Sequence, residues 1–195
     1  MPKAQRKKAS KKELIVQKAA IMFREKGFPA TSMRDLAESV GIEAASLYNH
    51  IQSKSEILED IIFRISDECT RQIDDLDKAG LSSLQKIESV IRFHIEMMLN
   101  HFEDYHVMIN EWIHLESQSL SDFINQRRNY VQRLESFISE GIEAGEIKQI
   151  LPYVAVLTIL SAVRGLEFWH RSQKNYSPEE LTENMVSYLI GGLKS

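Results

Sequence analysis

Apolar residues recur every third or fourth position from about Lys11 to Leu193, and only 8 Gly and 4 Pro punctuate the 195 residues. That period is the signature of helices that each bury one face, and it leaves little room for a loop-rich β-sandwich. Hydrophobic residues make up 43% of the chain, enough to fill a core. No apolar run approaches the ~18 residues of a membrane span. The opening MPKAQRKKAS is basic without an apolar stretch, so no secretory signal is expected and a cytoplasmic protein is. Cys69 is the only cysteine, which excludes an internal disulfide framework and any Cys-rich zinc site.

The periodicity predicts an all-α chain of about nine helices. The first runs from about Lys11 to Lys26 with Ile15, Ala19, Met22 and Phe23 inward; Gly27 and Pro29 end it. The second, Met33 to Val40, stops at Gly41, and the third continues from near Glu43 through Ile51. Ser53-x-x-Glu56 is a capping box that opens a fourth helix over about 54–77, roughly 36 Å long at 1.5 Å per residue. Ile87, Ile91, Met98 and Phe102 define a fifth helix, with a break at Asp104. Val107, Met108, Trp112 and Leu115 define a sixth, and Leu120 to Gly141 a seventh that stops at Gly145. An eighth runs from Pro152 to Trp169, apolar nearly all round, and a ninth from Pro178 to Gly191-Gly192.

Charge is unevenly spread. Residues 1–55 carry 11 Lys/Arg against 5 Asp/Glu, whereas residues 56–195 carry 13 against 23. A basic head on an acidic body points to a polyanion as the head's partner. Within the head, residues 31–55 read as two short helices around a tight turn at Gly41. Leu36, Ala37 and Val40 turn inward from the first; Leu47, Ile51 and Ala45 (or Ala44) turn at least partly inward from the second. Ser46, Tyr48, Asn49 and His50 remain on an outer face, the layout of a helix-turn-helix whose second helix enters the major groove of double-stranded DNA. Small residues at Ala44, Ala45 and Ser46 let the helix end approach base edges without clash.

Phe23-x-x-x-Gly27-Phe28-x-x-Thr31-Ser32-x-Arg34-Asp35-Leu36-Ala37, then Gly41-Ile42, Ser46-Leu47-Tyr48-x-His50 and Lys54-x-x-Ile57-Leu58, resembles the DNA-binding head of the tetracycline-repressor (TetR) family. The resemblance covers about residues 10–60; Ile51 departs from it, standing where the family usually has Phe. It implies an N-terminal three-helix head on a C-terminal helical bundle, a homodimer, and a repressor released from a palindromic operator by a small hydrophobic or anionic effector. It places Thr31 or Ser32, Tyr48, His50 and Lys54 at phosphates, and Arg34, Ala44, Ala45, Ser46 and Asn49 at or near base edges. The expected organisation is a flexible basic arm over 1–12, the head over 13–55, and a ligand-binding and dimerisation domain over 56–195.

In the body, helix eight is more apolar than one core face requires and helix nine adds Leu181, Met185, Tyr188, Leu189 and Leu193, so one face of each is the candidate dimer interface. Phe93, Met97, Met98, Met108, Trp112, Phe123 and Phe168 are candidate lining for a ligand pocket, with Arg127 and Arg164 as cations for an anionic group. A guanidinium within an apolar helix needs a partner, so Arg164 meets either a ligand or Glu111 or Glu167. Residues 107–116 resemble the Glu-Trp stretch of TetR-family regulators that sense acyl-CoA thioesters, which makes an acyl-CoA a candidate effector. A different class of function is also legible. Glu111-x-x-His114 and Glu167-x-x-His170, with Glu96 and Glu135, could be the ligands of a ferritin-like di-iron bundle. That alternative leaves the basic head without a role. No Gly-rich phosphate loop, HExxH or nucleophile elbow appears, so neither an enzyme nor a cofactor is expected.

Overall fold

A computed structural model describes residues 10–172 and 175–195. The basic arm proposed for residues 1–12 lies outside the described residues except at its end, where Ser10 caps a helix that already contains Lys11 and Lys12. The nine predicted helices are present, and the eighth is divided. In chain order they are α1 (Lys11–Lys26), α2 (Met33–Ser39), α3 (Ala44–Leu47), α4 (Lys54–Lys78) and α5 (Ser83–Asn100). Then follow α6 (Phe102–Asn110), a 3-10 turn (Trp112–His114), α7 (Ser117–Glu143), α8 (Pro152–Arg164), α9 (Leu166–Arg171) and α10 (Pro178–Gly191).

The helices begin where side chains can replace the missing intrahelical acceptors. Ser10, Ser32, Ser82 and Ser177 each accept from the backbone N–H three residues on, and the residue there reaches back to the cap. Four boundaries differ from the sequence expectation, the first being the end of the sixth helix, which stops at Asn110 and leaves Trp112 in a 3-10 turn and Leu115 beyond it. The α5–α6 break falls at His101, three residues before Asp104. The third helix stops at Leu47, because Asn49 and His50 bond three residues back, to Ser46 and Leu47, and tighten the chain. The long apolar helix divides at Gly165, whose N–H is shared between the carbonyls of Ser161 and Ala162.

One continuous core runs from Ile15 in α1 to Leu193 after α10. Helix α1 packs not only on α2 and α4 but also on α6 of the body. Helix α4 spans the whole arrangement; its 25 residues measure about 37 Å and carry Ile57, Leu58, Ile61, Ile62, Ile65, Cys69, Ile73 and Leu76 inward. Helices α5, α7, α8 and α10 complete the bundle. An isolated antiparallel bridge between Ile147 and Lys194 ties the α7–α8 loop to the chain end.

Candidate nucleic-acid interface and effector cavity

The head is built from a rigid inner face. Leu36, Ala37, Leu47 and Ile51 are buried, and Ile51 fills its place as an apolar residue should. Gly41 takes φ 69°, a left-handed conformation that suits glycine, and Ile42 N–H closes the turn on Ala37 O at 3.0 Å. The opposite face is free. Ser32, Arg34, Ala44, Ala45, Tyr48, Asn49 and His50 are exposed and Ser46 is partly so; both alanines point outward, where the sequence reading turned one of them in. Among the described residues no carboxylate lies within ion-pair distance of Arg34.

Two of the proposed phosphate contacts are employed elsewhere. Thr31 is buried and its Oγ1 donates to Gly27 O at 3.0 Å, which leaves Ser32 as the exposed hydroxyl of the pair. Lys54 turns inward: Nζ donates to Phe28 O at 2.7 Å, Thr31 O at 2.8 Å and Pro29 O at 3.4 Å, and lies 4.3 Å from the Phe28 ring centre. An ammonium has three protons, so these carbonyls use all of them. Lys54 therefore holds the α1–α2 loop from the start of α4. Phe28 is gripped from the body as well. Its N–H donates to Glu111 Oε2 at 3.0 Å, and its ring stacks on His114 with centres 5.5 Å apart.

A cavity of about 280 Å³ opens between α4, α5, α6, α7 and α8. Met108, Trp112, Phe123, Arg127 and Arg164 of the sequence-based set line it. Arg127 lies with its guanidinium carbon 5.5 Å from the Trp112 ring centre, and Arg164 Nη2 donates to Asn110 Oδ1 at 2.6 Å. The partner of Arg164 is thus neither of the carboxylates considered. It is an amide, and both guanidinium groups are exposed at the rim. Phe93, Met97, Met98 and Phe168 are absent from the lining: Met97 and Met98 are core, Phe93 is half-buried and Phe168 is 75% exposed. Choosing by residue type alone cannot tell which face of a helix meets the void.

What that choice missed is polar. His94 of α5 sits between Tyr105 of α6 and Tyr130 of α7, with Tyr105 Oη 2.8 Å from Nδ1 and Tyr130 Oη 2.8 Å from Nε2. All three side chains line the cavity. The available signal was a His on an apolar helix face beside Ile91 and Ile95, a position that demands hydrogen-bond partners. On another side Gln126 accepts from Ser66 Oγ at 2.9 Å and donates to Thr70 Oγ1 at 3.0 Å. Cys69 is buried beside them, and burial pushes its thiol up to about 12, as an inert core cysteine requires.

The di-iron alternative fails on geometry. Glu111 serves Phe28 and His114, Glu167 pairs with Arg171, and His170 stacks on Phe102 while contacting Met98 O at 2.7 Å. Glu96 is exposed on the outer surface. Among the described residues no group of three or more His, Cys, Asp or Glu is placed to hold a metal ion. No helix among them is long and apolar enough to cross a membrane.

A head that offers a short helix from a helix-turn-helix, on a helical body with an internal cavity, defines a ligand-responsive DNA-binding regulator. Residues 15–61 match the family of bacterial regulatory proteins called the tetR family, and residues 80–193 match the tetracyclin repressor-like C-terminal domain. The chain belongs to the tetR family of transcriptional regulators. It is similar to the HTH-type transcriptional repressor KstR2 of Mycolicibacterium smegmatis, 23% identical over 95% of this chain and 91% of that one. The structure of the ketosteroid transcriptional regulator KstR2 of Mycobacterium tuberculosis superposes with a TM-score of 0.88 at 21% identity, covering 97% of each chain. AibR, solved in complex with isovaleryl coenzyme A and operator DNA, superposes with a TM-score of 0.80 at 21% identity, covering 93% of this chain and 98% of that one.

Proposed function

We propose that this protein represses transcription as a homodimer and leaves its operator when the short acyl end of a coenzyme A thioester enters the cavity. The observation that carries the reading is where the cavity lies. Met108, Ile109 and Trp112 line it, and Glu111 among them holds the Phe28 N–H of the head. A ligand that displaces this end of α6 acts on the contact that positions the loop before α2. Helix α6 also packs on α1 and α4, so a small tilt of α4 is carried over about 37 Å. Release requires that the effector bind the DNA-incompetent arrangement more tightly than the competent one. Arg127 and Arg164 at the rim suit an anionic head group, and the volume suits a short or branched acyl chain.

On the DNA side, Ser32, Tyr48 and His50 are assigned to phosphates, and Arg34, Ala44, Ala45, Ser46 and Asn49 to base edges. Dimerisation is supported by apolar side chains that α8 and α10 turn to water: Tyr153, Val154, Leu157 and, 82% exposed, Tyr188. A second copy related by a two-fold axis would cover them and present two α3 helices to a palindrome. The test is a gel-shift titration with DNA from upstream of the protein's own gene, at two salt concentrations, with and without short-chain acyl-CoA thioesters including isovaleryl-CoA. Salt-sensitive binding abolished by one thioester is the expected result. Specific binding indifferent to every thioester removes the effector class and keeps the DNA-binding reading.

A further inference from the structure

Three polar side chains meet in a cavity wall that is otherwise mainly apolar, and their protons do not balance. Burial holds the His94 imidazole down to about 4, so near neutral pH it has one N–H and one bare nitrogen. Its two contacts, to Tyr105 and Tyr130, each use one proton. The trio owns three: two phenolic and one on the ring. One phenol donates to the bare nitrogen; the other accepts the ring N–H and keeps its own O–H unspent. Among the described residues neither phenol makes another hydrogen bond. Ionisation does not remove the surplus, because burial pushes both phenols above their ordinary range.

We propose that this surplus phenolic O–H is a recognition group for the effector, which therefore carries an acceptor oxygen, such as a carbonyl, on the portion that enters the cavity. The proposal rests on the cavity being the effector site. A purely hydrocarbon group of the same shape would leave the donor stranded, and a buried unmet donor is what gives a site its discrimination. Either ring tautomer leaves the same surplus. The tautomer decides only which phenol holds it.

The test uses two small probes with no coenzyme handle, cyclohexanone and methylenecyclohexane, which differ by C=O against C=CH2. Full-length protein labelled at its methionine methyls reports occupancy through Met108, which lines the cavity. The ketone is expected to bind about tenfold more tightly, the return on one net hydrogen bond. Either single Tyr→Phe change leaves two protons for one contact, and the ring tautomer can pass the surplus to the remaining phenol. The double variant Tyr105→Phe/Tyr130→Phe removes both phenolic donors and should bring that ratio close to one. Equal binding of the two probes, as a water permanently held by the phenol would produce, overturns the proposal and leaves the effector site standing. A ratio unchanged in the double variant overturns it equally. Failure of both probes to bind at all overturns the proposal and the effector site together.

Discussion

Lys54 carries its ammonium on a four-carbon stem, and nothing in a sequence separates a lysine that reaches a phosphate from one that folds back on its own chain. Here the carbonyls of Phe28, Pro29 and Thr31 converge on it, and the Phe28 ring covers it. Lys54→Met keeps the stem and removes the charge. The expected outcome is a loss of about 2 kcal/mol of stability and weaker operator binding, with an unchanged slope of log affinity against log salt. A phosphate contact would instead lower that slope by about 0.9. Salt titrations of the two proteins therefore decide its role.

His94 makes a prediction of the same scale. Its folded pKa is held at about 4 by burial, below the ordinary 6.5, so the unfolded chain takes up a proton that the folded one refuses. Stability from this group is complete above pH 6.5 and declines as the pH falls from there toward 4, by roughly 3 kcal/mol in all. Urea midpoints from pH 7 to 4 should fall more steeply for the natural protein than for His94→Gln. Parallel curves would mean that the imidazole charges freely in the fold.

At the scale of elements, the short path from cavity to head runs through the last turn of α6. Met108 and Ile109 face the void, Glu111 takes the Phe28 N–H, and His114 stacks on the Phe28 ring. Glu111→Ala should bring the ratio of effector affinities without and with operator toward one, while effector affinity of the DNA-free protein stays as it was. Calorimetric titration of both forms measures that ratio, and a ratio equal to that of the natural protein takes Glu111 off the path. Helix starts were legible because serine caps and acidic or amide N3 residues are local chemistry. Some helix interiors were less so. The tightening after Leu47 and the division at Gly165 depend on which carbonyl an N–H finds in three dimensions, and the Asp104 break was misplaced because His101 carries no turn signal of its own.

For the whole molecule, the order of helices and the outer face of the head followed from periodicity, glycines and the family resemblance. The cavity did not, because a void is set by how five helices meet, and Met97 or Met98 looks as suitable in one dimension as Met108. The assembly is open to a direct test. Tyr188→Asp places a charge in the apolar face of α10 and is expected to yield a monomer by sedimentation velocity, with operator affinity reduced by at least ~100-fold as the second half-site is lost. A dimer that survives this change moves the interface off α10.

Helix α1 belongs to the head by sequence and rests on α4 and α6 by packing, with Ile15, Val16, Ala19 and Phe23 inside the common core. Recombination that grafts a foreign head onto this body must therefore bring a first helix whose surface already fits its new neighbours. On the proposed assignment of operator contacts to α3 and of the effector to the cavity, new preferences are more readily reached by point substitution at those two places, where change leaves that shared surface intact. In such a lineage the two specificities diversify separately although the two parts of the chain are inherited as one.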